Sequence, residues 1–371
     1  LELSAQAKAG EPHQGRQGGE VIRQGKQRTT VRLSDRKIRV RKPRLRRKGK
    51  GRGGEVEVPA LEAINANGGV GSRILEILLC NVSTRNYHKV IPKMAETVGV
   101  SRSAVSREFV RQSGQELKKL AERDFSDCEF LIFYLDGVQF GEHHVICAIG
   151  VDSEGHKHVL GIQQGASENA ASATALLEHL VERGIDSNRN YLFVIDASKA
   201  LRAAIGRVLG DESPVQRCRL HKERNVKAKL PEELADQVKA EMRAAYRLPY
   251  QEGIRRLKKR AEWLELEHPG AAASLREGLT EMFTINRLEL SPSLRLCLGS
   301  TNIIESPFSG VRARTNRVSR WRNGKMVLRW TATALLETEN NFRRIQGYRD
   351  LWMLKAKLED NVEVDAQEEV A

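Results

Sequence analysis

Two apolar runs, each ending on an aspartate, constrain this chain more than any other feature. Phe130-Leu131-Ile132-Phe133-Tyr134-Leu135 leads to Asp136-Gly137-Val138, and Tyr191-Leu192-Phe193-Val194-Ile195 leads to Asp196-Ala197. Runs this short, rich in aromatic and β-branched residues, read as buried strands. Strands that are apolar almost throughout belong in a sheet covered on both faces. The sequence predicts a strand that stops at each carboxylate, holding the charge at the edge of a sheet. Two carboxylates held together repel unless a cation lies between them. The pattern therefore raises the question of a third acid and a metal.

The segments around these runs alternate as in an α/β domain. His143 to Val151 reads as a second strand, Asp152-Ser153-Glu154-Gly155 as a turn, and His156 to Ile162 as a third strand of an antiparallel meander. Glu168 to Arg183 is an amphipathic helix with Ala173, Leu176, Leu177, Leu180 and Val181 inward, closed by Gly184. After the Asp196 strand come a helix from Ser198 to Leu209 and a short strand from Pro214 to Cys218. Three strands, a helix, a strand, a helix and a strand is the element order of the ribonuclease-H-like fold, in which the ends of the first and fourth strands are neighbours. Residues 219–295 are helical and charged and read as an all-α insertion. The third acid is expected on a helix beside the two strand ends. Glu305, in Ser300-Thr301-Asn302-Ile303-Ile304-Glu305-Ser306-Pro307, is the candidate, about one turn beyond a cap at Ser300 or Thr301. On spacing alone a salt-bridged surface glutamate is the stronger reading of that residue. Pro307 is expected early in the helix, where its missing N–H costs little.

The formal net charge is +14 over 371 residues, which favours a polyanionic partner, with nucleic acid first. No run of eighteen apolar residues marks a membrane span. The five cysteines are odd in number and widely spaced, which argues against a disulfide framework and fits a reducing cytoplasm. The chain opens on Leu1 rather than Met, so a missing N-terminal feature carries no weight.

Residues 1–55 are poor in apolar side chains and carry the densest basic run, including Arg39, Arg41, Lys42, Arg44, Arg46 and Arg47. They are expected to form a disordered arm that contacts DNA phosphates, with a short strand near Ile38 and Val40 as an option. Residues 56–125 read as a helical DNA-binding region. A helix over 86–98, a Gly99 turn and a second helix from Ser101 to Val110 resemble a helix-turn-helix, with Arg102, Ser103, Ser106 and Arg107 near the start of the second helix. A C-terminal tail is assigned to 346–371, of which 356–371 is acidic and expected to fray.

Several of these blocks together carry a resemblance. Asp136-Gly137, Asp152-Ser153-Glu154-Gly155, Leu160-Gly161, Arg183-Gly184, Asp196, the block from Gln216 to Asn225, and Ser300-Thr301-Asn302-Ile303-Ile304-Glu305 with Arg312-Ala313-Arg314 resemble, in order and spacing, the bacterial mutator-type insertion-sequence transposases. The resemblance implies an α/β, ribonuclease-H-like catalytic domain over 126–218 and 296–345. It implies a DDE triad of Asp136, Asp196 and Glu305 that holds two Mg²⁺ ions, with Mn²⁺ as a substitute, for DNA cleavage and strand transfer at terminal inverted repeats. The implied partners are double-stranded DNA, both element ends and target, and further copies of the chain, at least as a dimer on DNA. The implied location is the bacterial cytoplasm, at the nucleoid. Arg312 and Arg314 fall in the basic stretch after the glutamate and are expected on DNA. Cys218-x-x-His221 matches the family's signature after the second Asp. By itself it is half a zinc site, and zinc is rejected for want of a second pair. The chain departs from the family in Ala197 after Asp196 and in Ser306-Pro307 after Glu305. The alternative function is an inactive or domesticated DNA-binding regulator derived from a transposase.

Overall fold

The computed structural model describes residues 1–10, 19–33, 36–50, 52–66, 70–84, 97–98, 102–165 and 170–368. The chain divides into two compact units, Leu1–Gln115 and Glu116–Ala371.

The first unit corrects the expectation of a disordered arm. The basic stretch forms an antiparallel hairpin of β1 (Val21–Leu33) and β2 (Arg36–Arg47). Preceding it is helix α1 (Glu2–Ala9), and β3 (Glu55–Val56), α2 (Pro59–Ala66) and α3 (Val70–Leu79) follow. The hairpin is possible because its few apolar residues alternate. Val31 pairs with Ile38 and Thr29 with Val40, which puts Val31, Ile38 and Val40 on one face. A small core buries Val31 and Leu45 with Ala5, Ala9, Val58 and Leu61, Leu45 entering it from the side of β2 opposite to Ile38 and Val40. The other face pairs Arg28 with Arg41, Thr30 with Arg39 and Lys26 with Pro43. Strand β4 (Thr97–Val98) pairs with β2, where the first helix of the helix-turn-helix was expected to end. The rest of that helix, at 86–96, together with Gly99 and Ser101, lies outside the described residues. The expected second helix is present as α4 (Arg102–Ala121) and runs well beyond Val110.

The second unit is built on a five-stranded mixed sheet. Its strands are β5 (Phe130–Phe140), β6 (His143–Asp152), β7 (Lys157–Gly165), β8 (Leu192–Ile195) and β9 (Val215–Arg217), in the order β7-β6-β5-β8-β9. The first three strands form the antiparallel meander, and β8 and β9 join parallel to β5. Helices α5 (Ala170–Glu182) and α6 (Lys199–Leu209) cover one face through Leu176, Leu177, Leu180, Leu201 and Ile205. The other face is covered by α13 (Asn302–Thr315), α14 (Gly324–Glu339) and α15 (Leu351–Glu368). These helices contribute Ile304, Phe308, Val311, Leu335, Leu351, Leu354 and Leu358 to the core. The result is an α/β domain with a mixed sheet between helical layers. The stretch expected to fray is helical as far as Glu368, continuing a helix that Leu351, Leu354 and Leu358 dock on the core. Between sheet and α13 stand α7 (Arg219–Lys227), α8 (Glu232–Ala245), α9 (Tyr250–Glu265), α10 (Pro269–Arg276), α11 (Thr284–Arg287) and α12 (Pro292–Leu298). The first four, with the turn Glu281–Phe283, close a core of their own around Val238, Met242, Leu257 and Phe283. None of the described helices is long and apolar enough to cross a membrane, and all five cysteines are free.

Candidate active site

The register of the parallel pair builds the site. Leu135 pairs with Ile195, the last residue of β8. The next position on each chain is an aspartate, so Asp136 and Asp196 stand side by side. Strand β5 does not stop at its carboxylate, as the sequence had suggested. It runs on to Phe140 because the antiparallel partner β6 continues to pair with it, through Asp136 opposite Cys147 and Phe140 opposite His143. Only the parallel neighbour ends there.

Side-chain alternation decides the face. Ile132, Tyr134 and Val138 of β5 and Val194 of β8 point into the core shared with α13. Phe133, Leu135 and Ile195 point into the opposite core. Asp136 and Asp196 share the parity of the first set and so face the layer that carries Glu305. Helix α13 is held against this face by Ile304, Phe308 and Val311, an i, i+4, i+7 stripe.

Each acid is held by a short-range donor. The Gly137 N–H donates to Asp136 Oδ1 at 2.9 Å. The Ser198 N–H donates to Asp196 Oδ1 at 2.8 Å, while Ser198 Oγ caps α6 by accepting from the Leu201 N–H at 3.3 Å. Ala197, in place of the family's glycine, leaves that turn intact. Thr301 Oγ1 donates to Glu305 Oε1 at 2.9 Å. Thr301 is the residue before α13, but its hydroxyl serves Glu305 and not the helix end. In its place the Cys218 sulfur accepts from the Thr301 N–H at 3.4 Å. Pro307 is the sixth residue of α13, deeper than expected. Its missing N–H leaves Ile303 C=O without its usual helical partner.

The electrostatics are those of a carboxylate cluster. Burial, and then the neighbouring Asp196, push the Asp136 carboxyl up to about 7. Asp136 is 8% exposed. A hydrogen bond with Cys218 leads the causes that raise His221 to about 9, with Asp136 and Glu305 adding attraction against the burial that opposes it. His221 is therefore a cation at neutral pH, with Nε2 3.8 Å from Glu305 Oε1. Burial pushes the Cys218 thiol up, but hydrogen bonds from His221 and Thr301 outweigh it and leave it below the usual thiol range. Cys218, His221 and Glu305 place one ligand atom each within 4.8 Å of one another, so Glu305 is the third group that the Cys-x-x-His pair lacked in the sequence.

The expected DNA-contacting residues separate into classes. Arg39 and Arg41 are exposed on the open face of the hairpin, beside Lys26 and Arg28, which the sequence reading did not single out. Their signal was a two-residue alternation hidden by the density of charge. Lys42 is a correction: it lies on the inner face, is 6% exposed and pairs with Glu57 at 3.2 Å. Arg44 is half-buried beside Glu55 at 3.6 Å, Arg46 is half-buried and Arg47 is exposed at the end of β2. On α4, Arg102, Ser103, Ser106 and Arg107 are all exposed, because Val105 and Phe109 take the buried side. Arg312 is exposed on α13, and Arg314 donates to Gly310 O at 3.2 Å.

Fold and site together define a mixed α/β protein that sets two aspartates on one face of its sheet, where β8 ends against the central strand β5, within a strongly cationic chain. The chain belongs to the Mutator family of transposases, whose family model matches residues 2–345. It is 27% identical over 284 residues to the transposase of insertion sequence element IS406 of Burkholderia multivorans, covering 74% of this chain and 71% of that one. It is 28% identical to the ISRM5 transposase of Rhizobium meliloti, over 74% and 69% of the two chains. Against the IS256 transposase of transposon Tn4001 from Staphylococcus aureus the identity is 23%, over 72% and 70%.

Proposed function

We propose that this protein is a transposase of ribonuclease-H-like fold that cuts DNA at the ends of its own element and joins it to a target. Asp136, Asp196 and Glu305 are its three catalytic acids. The observation that carries this reading is the parallel register that sets Asp136 beside Asp196, on the face where Glu305 arrives. The Asp136 carboxyl, pushed up to about 7, supports it. A buried carboxyl in this state, with a second one beside it, suits a divalent cation, which offsets the burial and the repulsion that raise it. All three acids offer hard oxygen ligands, as Mg²⁺ or Mn²⁺ prefers. Such ions, when bound, lower the pKa of a water or hydroxyl nucleophile and stabilise the leaving oxygen of a phosphodiester.

The chain's own groups hold and orient. Asp136 and Asp196 are fixed by the Gly137 and Ser198 amides, so their free oxygens face the α13 layer. Thr301 holds Glu305 Oε1 by a hydrogen bond, and His221 Nε2 stands 3.8 Å from the same oxygen. The open hairpin face, the start of α4 and the exposed Arg312 supply cations for phosphates of the duplex. Copies of the chain assemble on the two element ends.

The test is incubation of labelled element ends with the protein and Mg²⁺ or Mn²⁺, wild type against Asp136→Asn. Strand cleavage by the wild type alone, with equal DNA binding by both, is expected. Equal cleavage by both would sink the assignment of the acids.

A further inference from the structure

We infer that a cationic furrow between the helical insertion and the start of α13 binds the sugar-phosphate backbone of an unpaired DNA strand flanking the cleaved bond. This rests on the transposase reading and extends it to a surface that the acids do not touch.

Two cavities of about 600 Å³ each adjoin along Arg247 and Arg295, which line both. Arg219 and Arg243 line the first and Arg287 the second, against Glu223 in the first and Glu289 in the second. Glu223 is 5% exposed and already pairs with Arg243 at 3.0 Å. Arg219 is spent internally: it donates to Met282 O at 3.0 Å and to Asn286 Oδ1 at 2.5 Å, and lies over the Tyr246 ring. Among the described residues, Arg247, Arg287 and Arg295 have no carboxylate within ion-pairing distance. Arg247 and Arg287 are exposed, and Arg295 Nε is buried with no hydrogen-bond partner. Uncompensated guanidinium groups converging on one concave surface mark an anion site.

Position identifies the anion. Gly299, Ser300 and Asn302 line the first cavity, and Glu305 lies one turn further along the same helix. Arg219 and Leu220 line it from the other wall, while Cys218 and His221, on either side of them, flank Glu305. The Arg219 N–H donates to Gly299 O at 2.9 Å and ties the two walls together. The furrow therefore begins where the acids end. Two adjoining cavities of about 600 Å³ each have the volume to seat a few nucleotides of a single strand. Leu296, 72% exposed at its edge, offers an apolar surface to an unstacked base.

The experiment measures binding without metal, so that it is independent of cleavage. The probes are a blunt duplex and the same duplex with an unpaired flank of about ten nucleotides. Arg247→Gln combined with Arg295→Gln is compared with the wild type, and with Arg255→Gln combined with Lys259→Gln, two exposed residues of α9 outside the furrow. The furrow variant should lose about tenfold or more in affinity for the flanked probe only. Its salt slope should fall by about 1.4, two single-strand phosphate contacts. Thermal melting confirms that the variant folds, and single Arg247→Gln, at an exposed position, provides a milder version of the same change. Unchanged affinity for the flanked probe, or an equal loss on both probes, overturns the furrow. Failure of the transposase reading has a different signature: a wild type that shows the flank-dependent, furrow-dependent binding yet cuts no element end with Mg²⁺.

Discussion

The hairpin and the five-stranded sheet are the same secondary structure put to opposite uses. The sheet is covered on both faces, and its central strands are apolar at nearly every position. Over its middle the hairpin leaves one face open, with Arg28, Arg39 and Arg41 exposed on it, while toward the far end Pro43 and Leu45 of that same face are buried and Lys26 pairs with Glu2 of α1 at 2.9 Å. The sheet can hold a carboxylate against its own preference for water, because burial on both sides and two neighbouring strands leave Asp136 nowhere else to go. The hairpin needs no such rigidity, because a phosphate backbone accepts cations at many positions along its length. On the proposed function, chemistry takes the doubly covered strand, and affinity takes the hairpin.

The largest effect should come from the doubly covered strand. Asp136→Asn is expected to lower metal-dependent cleavage by roughly three orders of magnitude or more, about 4 kcal/mol of barrier, while gel-shift affinity for the same DNA stays within about twofold. A parallel loss of binding would break the division of labour between the two regions.

The strain on that carboxyl is itself measurable. In the folded chain Asp136 titrates near 7, above its ordinary 3.8. Protonation therefore favours the fold: the contribution is complete below the ordinary value and is lost as pH rises through about 7. His221, raised to about 9, acts in the same direction at higher pH. In chelator-treated protein, the stability difference between wild type and Asp136→Asn should shift against the wild type between pH 4.5 and 8, on the order of 2–3 kcal/mol. Urea titrations at the two pH values measure it, and added Mg²⁺ at the higher pH should restore part of the loss. A pH-independent difference would show that the carboxyl is not strained.

On the hairpin, Arg28→Gln with Arg41→Gln should weaken duplex binding about tenfold, regardless of sequence. It should also lower the salt slope by about 1.8, two duplex phosphate contacts. Cleavage at saturating DNA should be unchanged. The smallest effect belongs to the inner face of the same ribbon. Lys42→Met breaks the pair with half-exposed Glu57 and should cost about 1 kcal/mol or less in a melting experiment, with no change in DNA affinity. If Lys42→Met weakened binding as much as the outer-face variant, the two faces of the hairpin would not differ as described.

How much of this was legible in advance depended on the source of order. Strand β5, strand β8 and helices α5 and α6 were readable because apolar residues there are dense enough to show their period. The hairpin was misread because its order rests on Val31, Ile38, Val40 and Leu45 among more than twice as many polar neighbours. A composition argument sees only the excess charge. The tail was misread for a related reason: Leu351, Leu354 and Leu358 precede the acidic residues that suggested fraying. Glu305 was weak on spacing alone, since a glutamate one turn into a helix is common. The Ile304–Phe308–Val311 stripe that presses α13 onto the sheet gives it a place beside the aspartates.

The sequence by itself determined that two strands carry an aspartate after an apolar run, and that the chain carries a net charge of +14, which favours a polyanionic partner. Local pattern suffices for both, because strand burial and net charge are sums over neighbouring residues. Only the tertiary structure decided that Leu135 pairs with Ile195, that the two aspartates share a face, that Thr301 and His221 stand at Glu305, and that Lys42 turns inward while Arg41 does not. Those outcomes depend on register and on which face of an element is covered. A shift of one residue in either strand would send the carboxylates to opposite faces, and nothing in the composition of the strands forbids it.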